Sequence, residues 1–345
     1  MVVAALAFLA LLGFPETSHS DPVRAPIFMA TRAYVANAGD GTVSELDLTT
    51  SRVSRTIRVG VRPSAVLVVN TEIYVANAGS NSVSVIDGRF GRLETTIPVG
   101  KSPDALGFRQ GMLYVANAGD DDVSEIDVKK HAVVGKIKVG KHPSAIAPYV
   151  YDVNGGIYVT NRDSNTVSLI AAEAGEVIAT IHVGSAPSAI AFDSIRLPSA
   201  PGTVVSSVVG LVANERDGTL TVFDPLTNEI KRTVRVGDRP SGILAVDQPK
   251  NVVYVTNAGS NGIAVLDPVA LTVSRTIAAG NAPSGIAGTF DSHVFVANAG
   301  SNSVSALSLL TNTLDATLGA GSAPASISLG GLFWPAPGRC TGVAC

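Results

Sequence analysis

Cysteine, aromatic and charged residues are all scarce in this sequence. Only two cysteines, Cys340 and Cys345, occur in 345 residues, and two thiols without a nearby histidine or second cysteine pair do not form a zinc site. Aromatic residues make up 5% of the chain and include one Trp, which argues against stacking platforms for bases or sugars. The net charge of −3 gives no general attraction for polyanions. We therefore predict no metal, no cofactor and no nucleic-acid partner.

The chain also lacks an apolar run long enough to cross a bilayer. The run from Val2 to Phe14 is short of the roughly 20 residues that a spanning helix needs. It is followed by Pro15 and by small residues up to Ser20, which is typical of a signal peptide. We predict a signal peptide at 1–20 and a secreted, periplasmic or cell-surface protein. No Lys or Arg precedes the run, so an uncleaved anchor is the alternative.

Hydrophobic residues make up 46% of the chain, enough for a sizeable core. Their arrangement repeats, because seven copies of a Tyr-Val-Ala-Asn-like segment occur, mostly 40 to 44 residues apart. The copies begin at Tyr34, Tyr74, Tyr114, Tyr158, Leu211, Tyr254 and Phe295. One longer interval contains a Ser/Pro/Gly stretch around 197–203 that predicts an inserted loop.

Each copy predicts four strands. After the Tyr-Val-Ala-Asn strand come a polar turn, a Val-Ser-x-Ile-Asp-like strand, a second turn, a Thr-Ile-x-Val strand, then Gly-x-x-Pro and a short apolar strand. This pattern predicts an all-β, seven-bladed β-propeller of four-stranded antiparallel blades. Outward positions of the Thr-Ile-x-Val strands carry basic residues or proline, which suit an exposed edge. These positions are Arg58, Pro98, Lys138, His182 and Arg235.

Ring closure requires one terminal strand to join the first blade. The segment from Ala325 to Leu329 follows the repeat frame and has no later blade to join, so we predict that it pairs with Ala33–Asn37. The segment from Pro26 to Ala30 is the competing candidate. The predicted domains are a signal peptide at 1–20, the propeller at 21–330, and a tail at 331–345. The tail contains Cys340 and Cys345, which would bond in an oxidising compartment, and Leu332 to Trp334, which we expect to cover the end of the core.

These repeats resemble the YVTN family of β-propeller repeats over about residues 33–330. The resemblance also rests on seven Gly-x-x-Pro segments, which begin at Gly60, Gly100, Gly140, Gly184, Gly237, Gly280 and Gly321. It implies an exported, surface-layer or periplasmic protein. Distant relatives of similar fold include lactone hydrolases and electron-transfer dehydrogenase subunits, so the fold alone does not decide the function.

The repeated polar residues have structural explanations. We expect the Asn that ends each Tyr-Val-Ala-Asn strand to bond the following turn backbone, and the Gly two residues later, as in Gly39 or Gly79, to supply a positive φ. The Asp that closes the next strand, as in Asp47, is expected to accept backbone N–H bonds in the turn beyond it. A residue repeated for folding is a poor catalytic candidate.

Function is expected where the repeats differ, in the loops at one mouth of the channel. One arc of these loops is charged, and the predicted binding residues within it are Arg62, Lys101, Lys141, His142 and Arg239. Such an arc would bind a small anionic or zwitterionic ligand. Acidic residues lie on the same face, Asp120 to Asp122 among them. The competing explanation is that the charges pair with one another.

No catalytic motif accompanies this arc. We predict a non-enzymatic, monomeric binding or surface scaffold with a small-molecule or protein partner. The alternative is a hydrolase or lyase acting on a small lactone, with His142 as general base oriented by an acid among Asp120 to Asp122. A third possibility is a subunit that docks a redox partner through its rim.

Overall fold

The computed structural model describes residues 32–149, 155–200, 203–246, 252–267, 269–289 and 293–330. These residues form 28 strands and contain no helix, so within the described ranges nothing helical is long and apolar enough to cross a membrane. The first fifteen strands are β1 (Arg32–Asn37), β2 (Thr42–Asp47), β3 (Arg52–Arg58), β4 (Pro63–Val69), β5 (Glu72–Asn77), β6 (Ser82–Asp87), β7 (Arg92–Pro98), β8 (Pro103–Arg109), β9 (Met112–Asn117), β10 (Asp122–Asp127), β11 (Ala132–Lys138), β12 (Pro143–Pro148), β13 (Ile157–Asn161), β14 (Thr166–Ala171) and β15 (Glu176–His182). The others are β16 (Pro187–Ala200), β17 (Thr203–Asn214), β18 (Thr219–Phe223), β19 (Ile230–Arg235), β20 (Pro240–Val246), β21 (Val252–Asn257), β22 (Gly262–Asp267), β23 (Thr272–Ala278), β24 (Pro283–Gly288), β25 (His293–Asn298), β26 (Ser303–Ser308), β27 (Thr313–Gly319) and β28 (Pro324–Gly330).

The strands form seven antiparallel sheets of four strands each. Six sheets consist of consecutive strands from β4–β7 to β24–β27, and the seventh has the order β28-β1-β2-β3. The first strand of each sheet contacts the first strands of the two neighbouring sheets, and this relation runs around all seven. The protein is therefore a seven-bladed β-propeller whose innermost strands surround the central channel, as the repeats predict.

Strand β28 closes the ring on the first blade. It pairs with β1 in a register that includes Val35 opposite Ile327 and Ala33 opposite Leu329. The hydroxyl of Ser328 also accepts a hydrogen bond of 3.2 Å from the Val68 N–H of the next inner strand. The predicted C-terminal closure is thus confirmed. Four expectations lie outside the described residues: the signal peptide, the Pro26–Ala30 strand, the fold-back of Leu332 to Trp334 and the Cys340–Cys345 bond.

The core lies between neighbouring blades. Side chains of the Tyr-Val-Ala-Asn strands are buried on both faces, because each blade is covered by the next. Ile327 of the closing strand, for example, packs in one cluster with Val35 of the first blade and Phe295 of the last. Six of the seven outer strands bury one isoleucine or leucine, β19 buries none, and all seven expose most other positions. The outward residues Arg58, Pro98, Lys138, His182 and Arg235 are all exposed, as predicted.

The inserted segment is a hairpin, where a loop was expected. Strands β16 and β17 pair from Pro187 opposite Asn214 to Ala200 opposite Thr203. The prediction weighed the Ser, Pro and Gly residues of the insertion and overlooked the β-branched valines after Thr203, which favour extended backbone. A register shift between Pro198 and Ala200 accommodates a residue that cannot donate to the ladder.

The repeated Asn makes different bonds from those expected. The Asn77 side-chain amide donates to the hydroxyls of Ser82 and Ser84, at 3.2 and 3.0 Å. Its carbonyl oxygen accepts the Gly60 N–H at 3.0 Å. The side chain therefore joins the next strand to the Gly-x-x-Pro loop, and the prediction that it bonds the following turn is wrong. The alternation of the next strand explains this, since its hydroxyls face the same side as the Asn.

The glycine expectation is also wrong, because the positive φ falls two residues later. The residues that adopt it there are Gly41, Asn81, Asp121, Asn165, Gly218, Asn261 and Asn302. Gly79 is needed for a close approach instead, since a Cβ there would lie 2.9 Å from the Val61 carbonyl oxygen. The Asp expectation is confirmed: the Asp47 carboxylate accepts the Thr49 and Thr50 N–H groups at 2.9 and 3.0 Å.

Candidate functional site

Two sets of loops meet at one mouth of the channel. The Gly-x-x-Pro loop that enters each blade is hydrogen-bonded to the Asn-Ala-Gly turn of that blade. In the second blade the Ala78 N–H donates to the Arg62 carbonyl at 2.9 Å, and the Gly79 N–H donates to Val61 at 2.8 Å. Both loop sets therefore lie on the face that the sequence predicts, and we call this region the mouth.

We call the proline of each Gly-x-x-Pro loop the mouth proline. The residue before each mouth proline has a left-handed backbone conformation. Arg62, His142 and Arg239 have φ values of 51°, 55° and 52°, a conformation that costs free energy for a residue with a side chain. Side-chain caps offset this cost where the chain offers them. The His142 N–H, for example, donates to the Asp121 carboxylate at 2.8 Å. The loops that carry the predicted binding residues are thus held in a defined backbone conformation.

Three of the predicted binding residues are engaged by acids of neighbouring turns. Lys101 Nζ lies 3.6 Å from Asp120 Oδ1, and His142 Nδ1 lies 3.4 Å from Asp163 Oδ2. Glu215 engages two arginines: it lies 3.1 Å from Arg239 Nε and also contacts Arg162.

Arg62 and Lys141, the other two predicted residues, make no ion pair with any residue in the described ranges. The charged arc is therefore partly neutralised by its own acids. What remains available to an anion is the positive charge of these two side chains.

The three consecutive aspartates of the mouth have separate partners. Asp120 accepts the Lys101 N–H at 2.9 Å, Asp121 caps the loop of the following blade as described above, and Asp122 accepts the side-chain amide of Asn117 at 2.8 Å. They do not converge on one point, and the described part of the chain holds no group of three metal-ligating side chains. The acid nearest the His142 ring is Asp163, where the sequence suggested Asp120 to Asp122.

A belt of serine hydroxyls runs around the channel just inside the mouth. Each serine follows the mouth proline and donates to the carbonyl oxygen of the mouth proline of the next blade. We call these five residues the serine belt: Ser64 to Pro103, Ser144 to Pro187, Ser188 to Pro240 and Ser241 to Pro283 at 2.7 Å each, and Ser284 to Pro324 at 2.8 Å. The belt joins neighbouring inner strands through bonds that no sheet supplies.

The belt is interrupted at two blades, by Ala325 and by Asp104. Alanine leaves a gap without charge, whereas Asp104 places a half-buried carboxyl group at the channel. Burial raises the pKa of Asp104, against the opposing positive charges of His142, Arg162 and Arg62. One carboxyl group, two arginines and one histidine therefore lie near one another at the mouth.

Sequence reasoning missed Asp104. It compared the loops between Gly and Pro and did not compare the position after the proline, which is Ser in five copies, Ala in one and Asp in one. That departure from the repeat was the available signal.

A second polar cluster lies on the opposite face. Glu72 accepts the Tyr74 hydroxyl at 2.6 Å and lies 3.0 Å from His131 Nε2 of the next blade. Burial and the bond to Glu72 raise the pKa of Tyr74, which keeps the phenol neutral. This cluster links two blades and is closed by its own bonds.

No protein-family model matches the chain, and no curated protein matches it in sequence. Solved structures match it in fold. A protein of unknown function from Desulfotomaculum acetoxidans is 13% identical, with a TM-score of 0.72 over 87% of this chain and 98% of the other. A Bacteroides uniformis protein provisionally assigned as a 6-phosphogluconolactonase is 14% identical, with a TM-score of 0.69 over 87% and 99%. Kuenenia stuttgartiensis hydrazine synthase is 17% identical, with a TM-score of 0.63 over 76% and 88%. At these identities the similarity shows the propeller fold alone.

Proposed function

We propose that this protein is a non-enzymatic binding propeller that takes a small ligand at the mouth of its channel. The observation that carries the proposal is the departure from the repeat at Asp104, where a carboxyl group replaces a belt hydroxyl among Arg62, Arg162 and His142. Six other blades keep a small residue at this position. A charged group at a concave place of the fold is typical of a binding site.

The free cations support an anionic group on the ligand. Arg62 and Lys141 are carried by the two loops on either side of the loop that precedes Asp104, and both lack an acid partner within the described part of the chain. Charge-assisted hydrogen bonds of this type contribute about 1.5–3 kcal/mol each before desolvation. Lys101, His142 and Arg239 would shape the mouth through their paired acids.

A thermal-shift screen of small carboxylates and phosphates tests the proposal. A ligand that binds only the native state raises the melting temperature by mass action. We expect a shift in the wild type that is reduced in the double variant Arg62→Ala, Lys141→Ala. Arg58→Ala, an exposed residue of an outer strand, is the matched control and should keep the full shift. Equal shifts in the double variant and the wild type would show that the mouth is merely solvated.

We further propose that the chain is an exported, monomeric member of the YVTN type. The seven repeats and the apolar run from Val2 to Phe14 support this. Expression of the full chain in a bacterial host, followed by fractionation and N-terminal mass analysis, should recover a periplasmic or secreted protein that begins at Asp21. Light scattering of that product should give the mass of one chain. A cytoplasmic product with an intact N-terminus would contradict the export proposal.

A lactone hydrolase remains the second candidate because His142 and Asp163 form an imidazole–carboxylate pair at the mouth. Such a pair positions a general base, and the Bacteroides uniformis propeller carries a lactonase assignment. A panel of lactones, including phosphorylated sugar lactones, separates the two functions. The binding proposal predicts no turnover above the spontaneous rate. Turnover that is lost in His142→Ala and retained in His182→Ala would replace it with the hydrolase.

A further inference from the structure

The serine belt shows which hydrogen bond the fold makes between neighbouring blades along the channel. In five places the carbonyl oxygen of the mouth proline accepts a hydroxyl from the preceding blade, as with Ser64 and Pro103 at 2.7 Å. A buried carbonyl without a donor costs free energy. The belt therefore supplies a donor to the same carbonyl oxygen at each of these five junctions.

Asp104 reverses this arrangement at one junction. Its neighbour in the next blade is Pro143, whose counterparts all accept from a serine where the belt is intact. An ionised carboxylate is an acceptor only, so at this junction an acceptor occupies the position that carries a donor hydroxyl in five other blades. This junction therefore lacks the hydroxyl donor that the five serine junctions supply.

The charge at this junction favours an ammonium group as the donor. A carboxylate beside a carbonyl oxygen suits a group with a positive charge and several N–H bonds, which a primary ammonium has. A hard metal ion would need six to eight oxygen ligands, more than one carboxylate and one carbonyl supply. The cations around the mouth, above all Arg62, require a second group of negative charge on the same molecule.

We propose, resting on the binding function above, that the ligand is a small zwitterion whose ammonium group binds Asp104 and the Pro143 carbonyl oxygen. Its carboxylate or phosphate group then faces Arg62. Asp104 alone would select a simple amine, and the cations of the mouth alone would select a simple anion. Because the two lie close together, they select a molecule that carries both charges.

Calorimetric titration of the full protein with matched probes tests this inference. Phosphoethanolamine carries both groups, ethanolamine carries only the ammonium, and inorganic phosphate carries only the anion. Phosphocholine carries both charges but no N–H donor. Glycine, β-alanine and γ-aminobutyrate vary the spacing between the charges. We expect at least one primary zwitterion to bind 10-fold or more tightly than either single-charge probe and than phosphocholine.

Two serine substitutions in the belt supply the variants. Asp104→Ser removes the carboxylate and should weaken zwitterion binding at least 10-fold while leaving phosphate binding unchanged or tighter. Ala325→Ser changes the belt equally at the other interrupted junction and should leave the affinity as in the wild type. Folding of both is checked by their melting temperatures, so that a lost ligand is not confused with a lost fold.

The outcomes separate this inference from the function beneath it. In one outcome, phosphate binds as tightly as every zwitterion, and its binding is unaffected by Asp104→Ser but lost in Arg62→Ala. That result would keep the mouth as a binding site and overturn the zwitterion as its ligand. Zwitterion binding that survives Asp104→Ser would overturn the assigned ammonium site. If no probe binds at concentrations up to 10-fold above 1 mM, both the zwitterion inference and the proposed binding function are overturned.

Discussion

At the scale of single residues, the buried asparagines connect the blades' loops to their strands. Asn77 is fully buried and bonds two hydroxyls and one backbone N–H. Equivalent Asn298 makes the same three kinds of bond, to Ser303, Ser305 and Gly280. The residue is thus repeated because three groups depend on it, and not because it turns the chain.

Asn77→Ala should lower the free energy of unfolding by about 2–3 kcal/mol, because it leaves the Gly60 N–H and two hydroxyls without their partner. Thr96→Ala, at an exposed outer-strand position of the same blade, should change it by less than about 0.5 kcal/mol. Urea denaturation of both variants measures the difference. An equal effect of the two substitutions would contradict the role assigned to the asparagine.

Residue roles were predictable from the sequence where the interaction is local. The cap by Asp47 involves Thr49 and Thr50, two and three residues away, and its residue type predicts it. The Asn77 bonds reach Gly60, and the Asp104 surroundings include Arg162. Partners separated by 17 residues or more depend on how strands stack, which spacing within one repeat does not reveal.

At the scale of turns, the aspartate caps make stability depend on acid pH. Hydrogen bonds from the Thr49 side chain and the Thr50 backbone hold the pKa of Asp47 below its usual 3.8. Hydrogen bonds from Arg89 and from Lys130 do the same for the pKa values of Asp87 and Asp127. Between the folded and unfolded pKa values the unfolded chain binds more protons, so stability falls as the pH is lowered.

We expect the melting temperature to fall as the pH drops below about 4. The triple variant Asp47→Asn, Asp87→Asn, Asp127→Asn keeps side chains that accept the same N–H bonds and removes the titration. Its decline over this pH range should therefore be shallower than that of the wild type. Parallel pH profiles of the two proteins would show that these turns do not contribute to acid sensitivity.

The Gly-x-x-Pro loops require glycine for space. A Cβ at Gly100 would lie 2.5 Å from Asn117 Cγ, whereas a Cβ at Gly319 would have no heavy atom within 4 Å. Gly100→Ala should cost about 1–3 kcal/mol through forced displacement of the buried amide, and Gly319→Ala should cost nothing. Thermal unfolding of the pair measures this. A stable Gly100→Ala protein would contradict the close approach.

Strands and turns were largely predictable, and the exception is instructive. The alternation of apolar and polar residues and the runs of β-branched residues predicted all four strands of each blade. A strand that is buried on one or both faces has such a pattern. The insertion around 197–203 looked like a loop because its Pro, Ser and Gly residues were weighed, yet its backbone continues both strands. Turn residues at a hairpin tip do not show how far the strands reach before it.

At the scale of the whole molecule, the ring depends on the C-terminal strand. Ile327 of β28 is buried in the cluster that joins the first and last blades. Ile327→Ala should cost about 2–4 kcal/mol and should accelerate hydrogen exchange in β1 together with β28. Leu314→Ala, at an exposed position of the last outer strand, is the control. Equal exchange in the two variants would contradict closure through β28.

The number and spacing of the repeats were enough to predict seven blades and the closure of the ring. Each repeat contributes one blade, and the last inner strand along the chain can pair only with the first blade. The site was only partly predictable. The mouth and its charged arc follow from which loops share a face, whereas the pairing of Arg239 with Glu215 depends on how neighbouring blades are rotated. The serine belt joins different blades, so the spacing within one repeat does not reveal it.

Asp104 serves binding at the expense of stability in the function proposed above, as occurs at functional sites. The most direct test of this role is the free energy of unfolding of ligand-free Asp104→Ser and Ala325→Ser at pH 7. Both substitutions restore a belt bond, so both should stabilise the protein by about 1 kcal/mol. The gain for Asp104→Ser should shrink as the pH falls toward 3.8, because the protonated carboxyl loses its charge and can donate to Pro143. If Asp104→Ser instead destabilises the protein while Ala325→Ser stabilises it, Asp104 is a structural residue and does not serve binding at the expense of stability.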